Sequence, residues 1–349
     1  MKRLLSLFCV CALLLSLTSF TGCVRQKHKY EAYSFELFDT YTSIVGYEVS
    51  QKRFDEVAAG IQDALTTYHR LYDIYTYYGD LNNLARLNHT EAGTPLEVDQ
   101  KIIDLLLYAK EVYTLTNGKT NVAMGSVLSI WHDYRTKGIK NPLKAELPPM
   151  DALTQAAANT NLDDVIIDDE NNTVTLAIEG LLLDVGAIAK GYAVERVAQE
   201  LEAQGISGYL LNVGGNVRAI GPRADGTPWL AGVENPAEEE DPPYIAYLHL
   251  TEMALVTSGS SQRYYTVKGV KYHHIIDPDT LMPSAYFLSV TVLCPHSGLA
   301  DGLSTALFSM PYEDGLAMIE GIDGVEALWV LHDGTVLMTD GFSAHTVDR

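Results

Sequence analysis

Four short segments carry residue types able to do chemistry. The first is Asp184-Val-Gly-Ala-Ile-Ala-Lys-Gly191, which follows an apolar run at 181–183 and opens a helical pattern. A loop entering a helix N-terminus presents free N–H groups at the positive end of the helix dipole, which suits an anion. Asp184 stands where a carboxylate either caps those amides or meets a ligand, and Lys190 adds a cation one turn in. This is not a Walker loop, because the lysine precedes the second glycine and no Ser or Thr follows. Read alone, the segment is a strand–helix connection with Asp184 as its cap. The second segment, Asn212-Val-Gly-Gly-Asn216, sets paired glycines after an apolar strand pattern. Glycine pairs permit close backbone approach, but by themselves they mostly mark tight turns.

The third segment is Thr257-Ser-Gly259, followed by His273-His274-Ile-Ile-Asp277-Pro278. Adjacent histidines evoke zinc, yet strand alternation sends neighbours to opposite faces, and no third soft ligand lies nearby in sequence. A hydrogen-bonding or acid–base histidine fits better. The fourth segment is Ala300-Asp301-Gly-Leu-Ser304-Thr305-Ala306. Asp301 and Thr305 stand at i, i+4 on a helix, so both oxygens point to one side, offset from the apolar stripe. One carboxylate and one hydroxyl are too few for a calcium cage. They suit Mg²⁺, which keeps waters and takes phosphate oxygens. The plain alternative is a helix-start Asp with a Thr bonded back to the backbone.

These residues need elements to hold them. Apolar spacing predicts helices over 51–73, 99–116, 188–203 and 299–310, with Asp99 as an N-cap and Asn117-Gly118 as a stop. Residues 35–49 alternate as a hairpin pair, 75–83 form a Tyr/Asn-rich loop, and 160–178 read as strands around the turn 168–172. From Gly208 onward short strands dominate: 209–213, 217–220, 229–233, 245–250, 254–257, 289–293, 327–331 and 336–339. The expected class is α+β, with antiparallel sheets and flanking helices. Residues 141–149 are turn-rich, and two sub-lobes of one domain spanning 35–349 are expected to meet there.

The N-terminus reads as a processing signal. Lys2 and Arg3 precede an uncharged run with a 14-residue apolar centre at 4–17, followed by Phe20-Thr21-Gly22-Cys23. A small residue before a cysteine at that place resembles a bacterial lipobox. Residues 1–22 are therefore expected to be a lipoprotein signal peptide, Cys23 the lipidated residue, and 23–34 a tether. An uncleaved anchor is the alternative, since the 21 uncharged residues at 4–24 are just long enough to span a bilayer. Either way the body faces outward from the cytoplasmic membrane. Losing Cys9 and Cys11 with the leader leaves Cys294 as the one thiol, so no internal disulfide is expected.

The chain of 349 residues holds 24 Lys and Arg against 45 Asp and Glu, a net charge of −21, which argues against a nucleic-acid partner. Losing Lys2 and Arg3 takes the balance to −23. Any polyphosphate substrate must then be drawn in by local cations against the bulk field.

Taken together and in order, the four segments resemble the FAD:protein FMN transferase (ApbE) family. The resemblance runs from about 38 to 330. Residues 184–193 are similar to that family's Asp-Leu-Gly-Gly-Ile-Ala-Lys-Gly-Tyr-Ala signature, and Phe38-Asp39-Thr40 to its Met-Gly-Thr opening. Tyr78 and Asn88, Gly125 and Trp131, 212–215, Trp229, 257–259, 274–278, 289–292 and 300–305 complete the series. The resemblance implies a T-fold-like ApbE architecture. It also implies FAD contacts at Phe38, Tyr78, Lys119, Thr120, Asn121, Asp184, Lys190 and Ile276. Asp301, Thr305 and the backbone carbonyl of Ala187 become Mg²⁺ ligands. Phe38 replaces the family's methionine, and Lys119-Thr120-Asn121 replaces its Ala-Phe-Asp.

The reaction so implied is Mg²⁺-dependent transfer of FMN from FAD to a Ser or Thr hydroxyl through a phosphoester, releasing AMP. His274 is the expected base, with Asp277 orienting it. The acceptor would be an extracytoplasmic protein with an Asp-Gly-x-Ser/Thr-Gly-Ala-Thr-like motif, such as a membrane redox subunit. The chain's own Asp301-Gly-Leu-Ser-Thr-Ala-Leu307 misses that pattern. The same site with water as acceptor would be an FAD pyrophosphatase. A non-catalytic FAD-storage lipoprotein is a further alternative, against which the Asp301/Thr305 pair argues. A solute-binding lipoprotein would need two α/β lobes that the strand pattern lacks.

Overall fold

The strands are β1 (His28–Ser34), β2 (Thr42–Glu48), β3 (Leu96–Glu97), β4 (Val165–Asp168), β5 (Thr173–Leu176), β6 (Tyr209–Val213), β7 (Asn216–Ile220), β8 (Trp229–Glu234), β9 (Tyr244–Leu250), β10 (Ala254–Gly259), β11 (Tyr264–Val267), β12 (Val270–His273), β13 (Ser289–Cys294), β14 (Glu326–Val330) and β15 (Val336–Met338). The helices are α1 (Gln51–Tyr72), α2 (Leu84–Asn88), α3 (Gln100–Leu115), α4 (Gly125–Lys140), α5 (Met150–Ala157), α6 (Ala189–Ala203), α7 (Ser297–Phe308), α8 (Tyr312–Ile319) and α9 (Asp340–His345). The computed structural model describes residues 26–237, 242–261 and 263–348. The expected leader and Cys23 lie outside these residues. Among the described residues no helix is long and apolar enough to cross a membrane.

The main sheet, among the described residues, has eight strands in the order β1-β2-β6-β7-β10-β13-β14-β15. Every neighbouring pair is antiparallel. Period-two alternation divides its side chains between two faces. Ile44, Tyr209, Leu211 and Val213 join α1, α3 and α6 in one apolar cluster. Val256, Val290 and Val292 pack under α7 beside them. On the opposite face Val45, Tyr47, Leu210, Val217 and Leu293 meet the β8–β9 hairpin and Phe342 of α9. β13 is buried along its whole length, as a strand covered on both faces must be. A separate cluster links Met124, Val127 and Trp131 of the α4 region to Leu153 of α5 and to Tyr265 and Val267 of β11.

The expected α+β class with antiparallel sheets and flanking helices is the observed one. α1 follows its apolar spacing, and Asp99 caps α3 by accepting the Lys101 N–H at 2.9 Å. The first hairpin differs from expectation. Its strands are 28–34 and 42–48, and 35–41 is the connection, where Phe38 and Asp39 take φ of 53° and 52°. Much of the stretch read as tether is thus edge strand β1, paired residue for residue with β2 from His28–Glu48 to Ser34–Thr42. α4, α5, β11 and β12 were not anticipated; their apolar residues face a small local cluster, so their periodicity is shallow.

Candidate functional site

The site begins where α6 meets α7. Gly191 permits the contact: a Cβ there would lie 2.4 Å from Ser297 O and 2.5 Å from Asp301 Cβ. The Gly191 N–H donates to Asp301 Oδ2 at 2.8 Å, so a carboxylate on one helix caps the free amides of another. Lys190 Nζ stands 3.7 Å from Asp301 Oδ1. Burial raises the Asp301 carboxyl above its ordinary range, opposed by Lys190 and the Gly191 amide. Thr305, one turn on, donates to Asp301 O at 3.4 Å. Asp184 accepts the Gly186 N–H at 2.9 Å, and burial raises its carboxyl as well. Asp301, Thr305, Lys190 and Ala187 line one cavity, and the Oδ1 of buried Asn216 lacks a hydrogen-bond partner beside Gly191. Among the described residues no three His, Cys, Asp or Glu side chains gather as a metal cluster. A divalent ion here would draw on carboxylate, hydroxyl and carbonyl oxygens, the donor set of Mg²⁺.

The opposite wall is the segment after β12. His273 turns inward, with its Nε2 2.8 Å from Ser284 O. His274 faces the cavity with its Nδ1 buried and unpartnered. Burial, with Arg263, Arg135, His273 and Lys190 adding positive charge around it, holds its pKa down to about 3. The ring is therefore neutral at ordinary pH. The expected Asp277–His274 pairing is not formed. Asp277 lies outside the cavity lining, and its Oδ1 accepts from Lys119 Nζ at 2.8 Å and from the Asp279 N–H at 3.1 Å. Lys119 also reaches Asp279 Oδ2 at 2.8 Å. Lys119 captures the aspartate, so Asp277 fixes the Pro278 turn to Lys119 and leaves the histidine alone.

A third wall comes from 38–41 and the end of α1. The Phe38 N–H donates to His69 Nδ1 at 3.2 Å, which places the ring proton on Nε2, 3.2 Å from the Tyr78 hydroxyl. Tyr78 in turn donates to Asp73 Oδ2 at 2.8 Å. Tyr78 was expected to touch the ligand; it does not line the cavity but supports His69 and Phe38, which do. Tyr75 and Thr76 line the cavity in its stead. Thr120 donates to Gly302 O at 2.7 Å and Asn121 to Thr160 O at 2.9 Å, tying the 119–121 segment to α7 and to the connection between α5 and β4. The Asn212-Val-Gly-Gly turn contributes Gly214, where a Cβ would meet Thr40 Oγ1 at 2.4 Å.

Of the expected site residues, Phe38, Lys119, Thr120, Asn121, Asp184, Ala187, Lys190, His274, Ile276, Asp301 and Thr305 converge on this cavity of about 830 Å³. That is toward the upper end of small-molecule sites. Sequence reasoning missed His69, Tyr75, His132, Arg135 and Arg263, which also line it. His132 and Arg135 are one turn apart on α4, a spacing that would have flagged them had that helix been recognised. Arg263 carries no local signal.

Comparisons with known proteins come to the same place. The family model described as ApbE family matches residues 38–329. A Treponema pallidum protein named FAD:protein FMN transferase is 30% identical over 314 residues, covering 86% of this chain and 83% of its own. A Haemophilus influenzae protein of the same name is 31% identical over 275 residues, covering 78% and 76%. The crystal structure of the ApbE protein from Thermotoga maritima superposes with a TM-score of 0.79 at 29% identity, covering 92% of this chain and all of that one.

Proposed function

This chain belongs to the ApbE family, and we propose that it is an FAD:protein FMN transferase, moving FMN from FAD to a Ser or Thr hydroxyl of an acceptor protein. The observation that carries the reading is the junction of α6 and α7, which sets Lys190, Asp301, Thr305 and Ala187 on one cavity with a neutral His274. The cavity volume suits a dinucleotide, with Phe38 as an apolar wall for the flavin.

In this reaction the acceptor oxygen attacks the FMN phosphorus. A phosphoester forms, the bond to the bridging pyrophosphate oxygen breaks, and AMP leaves with that oxygen. The hydroxyl proton passes to His274, whose buried Nδ1 is unpartnered in the cavity, with the charge of the bound phosphates offsetting the cations that hold its pKa low. Lys190 offsets pyrophosphate charge in a chain of net charge −21. Asp184, Lys119, Thr120, Asn121 and Ile276 hold and orient the dinucleotide. Asp301, Thr305 and the Ala187 carbonyl would hold Mg²⁺, which when bound supplies Lewis-acid stabilisation of the phosphoryl oxygens.

The leader at 1–22 and Cys23 support a lipid-anchored enzyme on the outer face of a bacterial cell membrane. Its acceptor would then be an extracytoplasmic protein, such as a membrane redox subunit with an Asp-Gly-x-Ser/Thr-Gly-Ala-Thr-like motif. The test is mass spectrometry of an acceptor fragment incubated with the protein, FAD and Mg²⁺. The expected result is the FMN mass increment together with free AMP. FMN and AMP released equally with and without acceptor would make the protein a pyrophosphatase. Intact FAD in both arms would leave only binding.

A further inference from the structure

The cations of this acidic chain are unevenly placed. Residues 134–145 and 263–276 hold Arg135, Lys137, Lys140, Lys144, Arg263, Lys268 and Lys271 and no Asp or Glu, while elsewhere 17 Lys and Arg stand against 45 Asp and Glu. The fold brings the two stretches together. A Cβ on Gly138 of α4 would lie 2.5 Å from the Tyr265 ring of β11 and 3.3 Å from Ala145 Cβ, and the Tyr265 hydroxyl donates to Glu146 O at 3.0 Å. The two arginines line the cavity and the five lysines do not. Lys268-Gly269, with φ of 50° and 85°, makes the two-residue turn that joins β11 to β12. Lys140, Lys144 and Lys268 are exposed and form no ion pair among the described residues, and Lys137 lies over the Tyr134 ring. Large apolar side chains stand among them in water: Leu143 is 99% exposed, Ile139 58%, Val270 54% and Met150 48%. The acids bordering the patch in sequence are Asp133, Glu146 and Asp151.

We propose that the end of α4, the 142–150 segment and the β11–β12 tip form a docking face for the surface of an anionic phospholipid bilayer. Charge complementarity selects the occupant: this is a cationic patch on a chain of net charge −21, and an anionic surface attracts it while repelling the rest of the molecule. The residue pattern selects a lipid surface. Ile139-Lys140, Leu143-Lys144 and Val270-Lys271 each set a lysine directly after an exposed aliphatic. A helix end, a 3-10 turn at Pro142–Lys144 and a hairpin present them. Aliphatics of this kind enter the boundary between headgroups and acyl chains, while neighbouring lysines reach back to the phosphates. The inference rests on the membrane-anchored reading given above for the bilayer's being at hand, and is independent of the transfer chemistry. Residues 23–27, between Cys23 and β1, span at most about 18 Å when extended. Such a tether holds the body near the bilayer without fixing its orientation. The patch supplies the orientation, because α4 also carries His132 and Arg135 of the cavity wall. A docked face would hold the cavity at a set angle to the membrane.

The test mixes the full chain with vesicles of brominated phosphatidylcholine, with or without phosphatidylglycerol, and reads indole fluorescence. The native Trp131, Trp229 and Trp329 are buried and give a constant background. Leu143→Trp should show blue-shifted, bromine-quenched emission on vesicles containing phosphatidylglycerol. The quenching should vanish on phosphatidylcholine alone and in about 1 M salt, where the screening length is ~3 Å. Lys140→Ala and Lys144→Ala in that background should each lower the docking constant about fivefold. Lys140→Glu combined with Lys144→Glu should abolish docking, with the thermal melt and FAD affinity unchanged; should that pair fail to fold, the alanine variants decide. Leu230→Trp on β8 and Phe35→Trp are exposed reporters elsewhere on the surface and should stay unquenched. No quenching at Leu143→Trp, quenching indifferent to the lysines and to lipid charge, or equal quenching at either other reporter overturns the proposal. So does a blue shift that appears without vesicles as protein concentration rises, or only on adding an acceptor fragment, since either would assign the face to a protein partner. Co-sedimentation with phosphatidylcholine vesicles in high salt reports the anchor alone. Its absence beside charge-dependent quenching would sink the anchor reading and leave the docking face standing.

Discussion

Gly191 donates its N–H to a carboxylate oxygen of Asp301, 110 positions away, at 2.8 Å, and no space remains for a side chain on the glycine. One contact thus caps α6, seats α7 against it, and leaves Asp301 Oδ1 facing Lys190 at the cavity.

Gly191→Ala should therefore do more than remove flexibility. Its methyl would sit 2.4 Å from Ser297 O and 2.5 Å from Asp301 Cβ, against backbone that cannot step aside. Overpacking of this kind costs about 1–3 kcal/mol. We expect a lower Tm and loss of the Mg²⁺-dependent stabilisation predicted for the wild-type protein, both read by thermal melts with and without the ion.

Asp301→Asn separates stability from function. Burial raises this carboxyl, so the native state holds its proton more firmly than the unfolded chain does. Stability from this group is greatest at low pH and falls as the pH rises through its folded value. An amide carries no such penalty and can still accept the Gly191 N–H. The metal-free variant should melt at the same temperature as wild type or about 1–3 °C higher at neutral pH. Its FMN transfer should drop by roughly two orders of magnitude or more, and added Mg²⁺ should no longer shift the melt. A normal Mg²⁺ response would remove Asp301 from the ion site.

His274 has the opposite linkage. Its folded pKa, pushed down to about 3 by burial and surrounding cations, lies below the unfolded value. The unfolded chain then binds the extra proton first, so stability is full above about pH 6.5 and is lost as the pH falls toward 3. His274→Gln should flatten part of the fall in Tm between pH 7 and pH 4. His274→Ala should bind FAD yet transfer no FMN to the acceptor fragment.

Asp277→Asn tests the corrected role of that residue. Its carboxylate is buried and holds Lys119, which Asp279 also reaches from solvent. The loss should be about 1–2 kcal/mol, less than for a sealed pair because Asp279 remains and Lys119 is partly exposed. FAD affinity should weaken as the 119–121 wall loosens. The pH dependence of transfer should keep its shape; a displaced acid limb would show that Asp277 does act on His274.

Much of this protein is written in short stretches of chain. The Asp184–Gly191 signature, the Asp301/Thr305 spacing, the Asp99 cap and the apolar stripes of α1, α3, α6 and α7 each depend on residues within a few turns of one another, where backbone periodicity and local capping decide the outcome. Partners chosen across long separations were not legible. Asp277 lies three residues from His274 but bonds Lys119, 158 positions away, because the pairing depends on which side chain the folded wall delivers to it. Tyr78 carries the expected residue type but spends its hydroxyl on Asp73 and His69, leaving Tyr75 and Phe38 to face the cavity. Arg135 and Arg263 line one cavity because α4 and the approach to β11 pack around one small apolar cluster. Local sequence determined the elements and the signature residues they carry. Side-chain direction and charge pairing were settled by the tertiary structure, since burial and hydrogen-bond competition depend on neighbours that only the closed fold supplies.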